Sequence, residues 1–422
     1  MKIYLHIGTE KTGTTSIQSF LADNRDELRK HKIMYSKALG DPNNIRLSIA
    51  LQNTNKIDDS RIHSKITTKE SILNFEKELK QNLKEEIIAE KPDILIISSE
   101  HLSSRMNEQE EVDRLKDFLS EFSDDISVVL YLRRQDKFFE SLYSTAIKKG
   151  NILDFSFPEK GHERQDFHYN KMLKLWENTF GIENIKVNLF EKDKLYQKDV
   201  VSDFIHILKL PVTYQRGNEK RENLSFGRKK LSFLKEFNTV VPEIIKHRAN
   251  PLRGNIEELL EKIEIQDKPV KMSSAEKIEF VKRFTDGNQA IAKRYFDGED
   301  IFGTVLLDGK EKVDIKITAP EAIELFSNIW SEKQKECNDR LFTIRTLEIE
   351  LELAKENNDK ALKLAENFLL QYPNHPRTNY LYARVLYAKK KFEDAKVYCK
   401  IAYKLNPDNK DIFAFLNLIN DK

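Results

Sequence analysis

Short apolar runs alternate with longer stretches in which apolar residues recur every three or four positions. KIYLHIG (Lys2–Gly8) is a run broken only by His6. DILIISS (Asp93–Ser99), entered through Pro92, is a second, ISVVLYL (Ile126–Leu132) a third and NIKVNLF (Asn184–Phe190) a fourth. Runs this short and this continuously apolar predict strands buried on both faces, as in a parallel sheet. Between them, Ser16–Lys30, about Gln135–Lys149 (which Gly150 ends) and DVVSDFIHIL (Asp199–Leu208) read as helices. The alternation predicts an α/β fold, a P-loop-like parallel sheet flanked by helices.

From about Lys209 the chain turns basic and polar, and then mostly helical with a glycine-containing insertion around Asp297–Gly309. The stretch Arg216–Lys230 holds six Lys/Arg (Arg216, Lys220, Arg221, Arg228, Lys229, Lys230) against two Glu. It reads either as a lid over an anionic ligand or as a solvated charged loop. The last 80 or so residues repeat themselves: Ala361 and Ala395, like Pro373 and Pro407, stand 34 residues apart. That is the tetratricopeptide period, with a small residue where paired helices pack and a proline closing the second helix. Tyr380, Leu381, Ala383 and Tyr387 supply a helix of the second repeat, and a flanking helix is expected from Thr343. The expected division is a catalytic α/β domain over 1–335 and a small all-α, tetratricopeptide-like array over 340–422. The usual work of such an array is protein contact, including self-association.

Composition narrows the classes. The chain has 422 residues, and its 71 Lys plus Arg against 69 Asp plus Glu leave a net charge of +2. That balance gives no global reason to expect nucleic acid or a membrane surface, so any anion site is local. Two cysteines, Cys337 and Cys399, do not make a disulfide framework and fit a reducing compartment. No run approaches the roughly 18 apolar residues of a membrane span. The start lacks the shape of a signal peptide, and a cytoplasmic location without a transmembrane segment is expected.

The chemistry sits in GTEKTGTTS (Gly8–Ser16). Gly8 and Gly13 have the spacing of a Walker A loop, but Thr14 and Thr15 stand where that loop has Lys and Ser/Thr, and the lysine comes early, at Lys11. A strand, a glycine turn and a helix aim backbone N–H groups and the positive end of the helix dipole at one point. Thr12, Thr14, Thr15 and Ser16 add hydroxyls, and Lys11 a charge. Without the usual lysine or a Walker B acid at a strand end, ATP hydrolysis with magnesium is disfavoured. A sulfuryl group carries less charge than a phosphoryl group and needs no metal.

HIGTEKTGTTSIQSFL resembles the 5′-phosphosulfate loop of sulfotransferases that use 3′-phosphoadenosine 5′-phosphosulfate, above all the K-T-G-T-T form of heparan-type carbohydrate sulfotransferases and their bacterial relatives. YLRRQDKFFESLYSTAIKKG resembles that family's 3′-phosphate motif, an Arg ending a strand and a Ser eight residues on, here Arg133 and Ser141. The family often has a proline shortly after the arginine; this chain has Gln135-Asp136. The resemblance covers about residues 1–330. It implies that Thr9, Glu10, Lys11, Thr12, Gly13, Thr14, Thr15 and Ser16 hold the donor's 5′ end, that Arg133 and Ser141 hold its 3′-phosphate, and that Lys11 neutralises the leaving phosphate. Arg221 and Asn223 are weaker candidates for the closing segment. Adenosine 3′,5′-bisphosphate is the implied product, and no metal is expected.

Sulfuryl transfer to an alcohol needs a base for the hydroxyl proton. IISSEHLSS places Glu100 and His101 just past the second long strand, where ligands bind in open α/β sheets. Glu100 is preferred and His101 is its rival; relatives use either residue type. His6 reads as a core residue, and His162 and His168 as possible neighbours of the acceptor. The resemblance implies a sugar hydroxyl, on a surface glycan or glycolipid precursor, in a bacterial setting. The competing readings are a kinase or nucleotide triphosphatase and a scaffold that binds nucleotide without turning it over.

Overall fold

Five parallel strands form one sheet in the order β2-β3-β1-β4-β5: β1 (Lys2–His6), β2 (Ile33–Tyr35), β3 (Ile94–Ser98), β4 (Ile126–Leu132) and β5 (Ile185–Leu189). The computed structural model describes residues 1–214, 226–245, 248–305, 312–313 and 315–420. β4 is buried at every position, which is why its sequence shows no alternation. Side chains nevertheless alternate between two cores, as the pleat requires. Ile3, Leu5, Leu95, Ile97, Val128 and Leu130 face the helices Lys69–Glu90, Gln109–Ser120 and Tyr169–Phe180. Tyr4, Ile96, Val129 and Tyr131 face the helices Thr14–Asp23 and Val200–Leu208. The result is the three-layer arrangement that the alternation predicts.

Two local details differ from the sequence reading. The stretch expected as one helix from Ser16 to Lys30 is two, Thr14–Asp23 and Arg25–Lys30, because the backbone and side-chain amides of Asn24 both donate to the Phe20 carbonyl and end the first. β2 is three residues long, too short for a periodic signal, and pairs at the sheet edge with β3, Ile33 opposite Ile94.

Chain order and spatial order diverge at β1. From β1 the chain goes to the edge strand β2, comes back to β3 beside β1, and then crosses to β4 and β5 on the other side. Ligands bind in the crevice that this reversal leaves at the strands' carboxyl ends. Here that crevice is bounded by the loop after β1, Glu100 after β3 and Arg133 after β4.

Two compact units divide the chain, Met1–Glu257 with Glu264–Thr318 and Glu258–Ile263 with Ala319–Lys422. The second is all-helical. The helix that holds Thr343 begins much earlier than expected and runs Ala319–Ala354. It is followed by helices Asn358–Gln371, Pro376–Ala388, Phe392–Leu405 and Lys410–Asn420. Ala361 and Ala395, 34 residues apart, are both fully buried, which lets neighbouring helices approach closely. Among the described residues, no helix is long and apolar enough to cross a membrane.

Candidate active site

Hydrogen bonds carry the loop out of β1 without leaving the sheet. Ile7 N–H donates to the Val129 carbonyl at 3.0 Å, Tyr131 N–H to the Gly8 carbonyl at 2.7 Å, and Thr9 N–H to the Tyr131 carbonyl at 3.1 Å. Gly8 has φ +94°, and a Cβ there would sit 3.0 Å from both Cα and Cβ of Glu100. The glycine is therefore what lets the end of β3 lie against the loop. Gly13, at φ +79°, closes the loop just before the helix, and a Cβ on it would meet the Val200 side chain at 2.8 Å. Lys11 between them is also left-handed, at φ 61°.

The loop's hydroxyls divide into two sets. Thr9 Oγ1 donates to the Tyr131 carbonyl at 3.0 Å, and Thr12 Oγ1 to the Thr9 carbonyl at 2.6 Å, with both residues buried. Those two side chains shape the loop, so Thr12 does not offer a ligand the free hydroxyl expected of it. Thr15 and Ser16 are exposed at the mouth, and Thr14 is buried. The first bond of helix Thr14–Asp23 runs from Ile17 N–H to the Gly13 carbonyl at 3.2 Å, so the N–H groups of Thr14, Thr15 and Ser16 precede the helical ladder. Among the described residues, no side chain caps them. They are the donors an anion would take.

Charge converges on the same point. Burial pushes the Lys11 ammonium below the usual lysine range; the carboxylates of Glu10 and Glu100 oppose the shift, and the ammonium groups of Lys149 and Lys148 add to it. Arg133 Nη1 donates to the Lys11 carbonyl at 3.0 Å, tying the end of β4 to the loop. Its guanidinium lies over the Phe190 ring, 5.5 Å from the centroid, and its own carbonyl accepts from the Tyr169 hydroxyl at 2.7 Å. Arg134, the next residue, does something else. Its Nε and Nη2 bind the two oxygens of the fully buried Asp136 at 2.7 and 2.9 Å, so its charge is consumed in holding the start of helix Gln135–Lys148. Ser141 stands on that helix, partly buried, and its carbonyl accepts from the Thr145 hydroxyl at 3.2 Å.

Glu100 and His101 part company here. Glu100 Oε2 accepts from Gln18 Nε2 at 2.8 Å, an amide brought in by the loop's own helix. His101 Nδ1 accepts from Arg105 Nε at 3.2 Å. Because arginine only donates, neutral His101 carries its proton on Nε2. Burial, with the Arg105 and Lys149 charges behind it, keeps the His101 imidazole below its ordinary pKa, and Glu100 and Glu10 oppose that. Arg105 is held in turn by Asp58 and Asp59. His6 lies away from this chemistry, fully buried with Nδ1 2.7 Å from the Ser98 hydroxyl.

The side of the cleft beyond Glu10 was not legible in the sequence. Glu10 accepts from Arg164 Nη2 at 3.3 Å, and Arg164 also binds Asp166. Asp166 and His168 then help line a cavity of about 260 Å³ with Ser103, Ser104, Asn107 and Lys171. His168 thus borders a cavity, whereas His162 is exposed beside Glu159 at 4.0 Å. Gln18, Arg164, Lys148 and Lys149 carried no sequence signal, because the residues they act on, Glu100, Glu10 and Lys11, are brought near them by the fold. Of the basic stretch, Arg216, Lys220, Arg221 and Asn223 lie outside the described residues, as does the end of the Asp297–Gly309 insertion beyond Val305. Arg228, Lys229 and Lys230 begin helix Arg228–Val240.

Fold and site together define a parallel α/β protein with a glycine loop at its sheet's reversal point and an all-helical unit after it. No family model matches the chain. An uncharacterized protein of Archaeoglobus fulgidus is 24% identical over 175 residues, 42% of this chain and 47% of that one, so the chain spans about half the length of this curated relative. The crystal structure of a sulfotransferase from Alicyclobacillus acidocaldarius is similar at a TM-score of 0.33 and 16% identity, over 57% of this chain and 92% of that chain.

Proposed function

We propose that the chain is a sulfotransferase that moves the sulfuryl group of 3′-phosphoadenosine 5′-phosphosulfate to a hydroxyl, with a carbohydrate as the acceptor class. The observation that carries this reading is the convergence of uncapped helix N–H groups, Lys11 and Arg133 with a carboxylate, Glu100, at the ends of three adjacent strands. The donor set fits a nucleotide with two separate anionic groups. The loop N–H groups, Lys11, Thr15 and Ser16 suit the 5′ side, and Arg133 with Ser141 suits the 3′-phosphate.

In this reaction the acceptor oxygen forms a bond to sulfur as the bond from sulfur to the bridging phosphate oxygen breaks. Lys11 neutralises the charge that gathers on that leaving oxygen. Glu100 takes the acceptor proton. Two features favour it over His101: Gln18 fixes one of its oxygens, leaving Oε1 to accept, and Arg105 occupies the one basic nitrogen of neutral His101. The cavity bordered by Asp166, His168 and Lys171, with Met106, Met172 and Leu175 also in its wall, suits a sugar's polar edge and apolar face beside the loop's Glu10–Arg164 link. The helical unit, with its buried Ala361 and Ala395, suits tetratricopeptide-like protein contact.

The test is direct. Purified protein is titrated with adenosine 3′,5′-bisphosphate and with AMP, and sulfate transfer from labelled donor is followed on a panel of glycans, with Lys11→Ala and Glu100→Gln alongside. Tight, selective binding of the bisphosphate and transfer lost in both variants are expected. Equal affinity for AMP would overturn the reading, and tight bisphosphate binding with no acceptor ever sulfated would favour a nucleotide-binding scaffold.

A further inference from the structure

Helix Ala319–Ala354 carries a second pattern. Ile323, Trp330, Cys337, Ile344 and Leu351 recur every seven residues, and Phe326, Lys333, Arg340 and Leu347 follow the first four by three. This is the a/d spacing of a two-helix seam. At about 100° per residue these nine positions fall within a stripe roughly 120° wide. Ile323, Phe326, Trp330, Ile344, Leu347 and Leu351 are each more than half exposed, and Cys337 is exposed as well. The residues that this helix does bury, Leu325, Ile349 and Glu352, lie outside the seam. A helix of 36 residues is about 54 Å long, enough for a seam of five heptads.

The order of side chains along the stripe identifies the occupant. Large apolar residues stand at both ends, Ile323 and Phe326 at one and Ile344, Leu347 and Leu351 at the other, around a middle that mixes cations with Trp330 and Cys337. An antiparallel two-fold contact sets one end of the stripe against the other, because residue i meets j and j meets i, so apolar ends around a polar middle suit it. We propose that two copies of this chain associate through this helix, running antiparallel. In the register that centres the middle, Ile323 meets the partner's Leu347, Phe326 meets the partner's Ile344, and Trp330 meets the partner's Arg340. The last is a cation–π pair, and Lys333 faces the partner's Cys337. A parallel pairing would instead set Lys333, which binds Glu336 of its own helix at 2.9 Å, against the partner's Lys333, and Arg340 against the partner's Arg340, two like-charge layers with only the Cys337 layer between them. The seam lies before the repeated helices and is independent of the proposed reaction.

Sedimentation velocity of the full chain across micromolar concentrations tests the association. A dimer is expected, and Phe326→Glu with Ile344→Glu raises its dissociation constant at least 100-fold while the far-ultraviolet circular dichroism stays as it was, since both positions are exposed. Orientation is read in a Cys337→Ser background: chains bearing Ile323→Cys are mixed with size-tagged chains bearing Leu347→Cys and oxidised with copper phenanthroline. Disulfides between the two kinds of chain are expected, at least tenfold above those within either kind alone. A monomer at every concentration, a dimer unaffected by the double substitution, or Ile323→Cys chains that cross-link among themselves would each overturn the proposal.

Discussion

The side-chain amide of Gln18 donates to the Glu100 carboxylate at 2.8 Å, across 82 residues of sequence. It joins the helix Thr14–Asp23 to the strand end that carries Glu100, so the two halves of the proposed reaction share one contact. If Glu100 moves the proton, Glu100→Gln lowers kcat by about 10²- to 10⁴-fold, the range of a general base, and leaves bisphosphate affinity unchanged. His101→Asn changes kcat by less than about tenfold on the same scale. Single-turnover transfer with paired binding titrations separates the two; a larger loss in His101→Asn would reverse the assignment.

The paired arginines separate in the same way. Arg133→Ala weakens adenosine 3′,5′-bisphosphate by about 10- to 100-fold, one to two charge-assisted hydrogen bonds, and costs about 1 kcal/mol of stability through the lost bond to the Lys11 carbonyl. Arg134→Ala leaves the buried Asp136 carboxylate without its bidentate partner, so it unfolds the protein more easily, by on the order of 3 kcal/mol. Calorimetric titration and urea denaturation of both variants would show it; equal binding losses would mean that the second arginine also reaches the ligand.

Gly8 is sensitive for two reasons that add. Gly8→Ala puts a Cβ 3.0 Å from the Glu100 backbone and forces a side chain into φ +94°. A stability loss of roughly 1–3 kcal/mol follows from the backbone conformation alone, and bisphosphate binding drops with it as Glu100 and the loop separate. Denaturation midpoints measured with and without the nucleotide check both parts.

Stability at mildly acidic pH reports on His6. Burial lowers this imidazole to about 3, whereas in the unfolded chain it titrates near 6.5. The folded protein therefore refuses a proton that the unfolded chain accepts. The stability it carries is whole above about pH 6.5 and is lost as pH falls from there toward 3. Between pH 7 and pH 5 the loss is about 2 kcal/mol. His6→Asn should flatten that part of the curve, read as the difference between urea unfolding free energies at the two pH values; an unchanged slope would assign the effect to other groups.

Sequence alone determined the strands that are apolar on both faces, the glycine loop after the first of them, and the presence of Lys11, Glu100 and Arg133 at three strand ends. Those features are local, set by runs of seven to nine residues whose polarity and glycines act on their own backbone. Tertiary structure decided which of them meet. It set β1 between β3 and β4, and brought Gln18 to Glu100 and Arg133 to the Lys11 carbonyl. It also exposed the seven-residue stripe of helix Ala319–Ala354, whose positions are plain in the sequence but whose exposure is not. Hydrogen-bond partners and burial depend on what the fold places opposite a side chain, and no window of neighbouring residues contains that information.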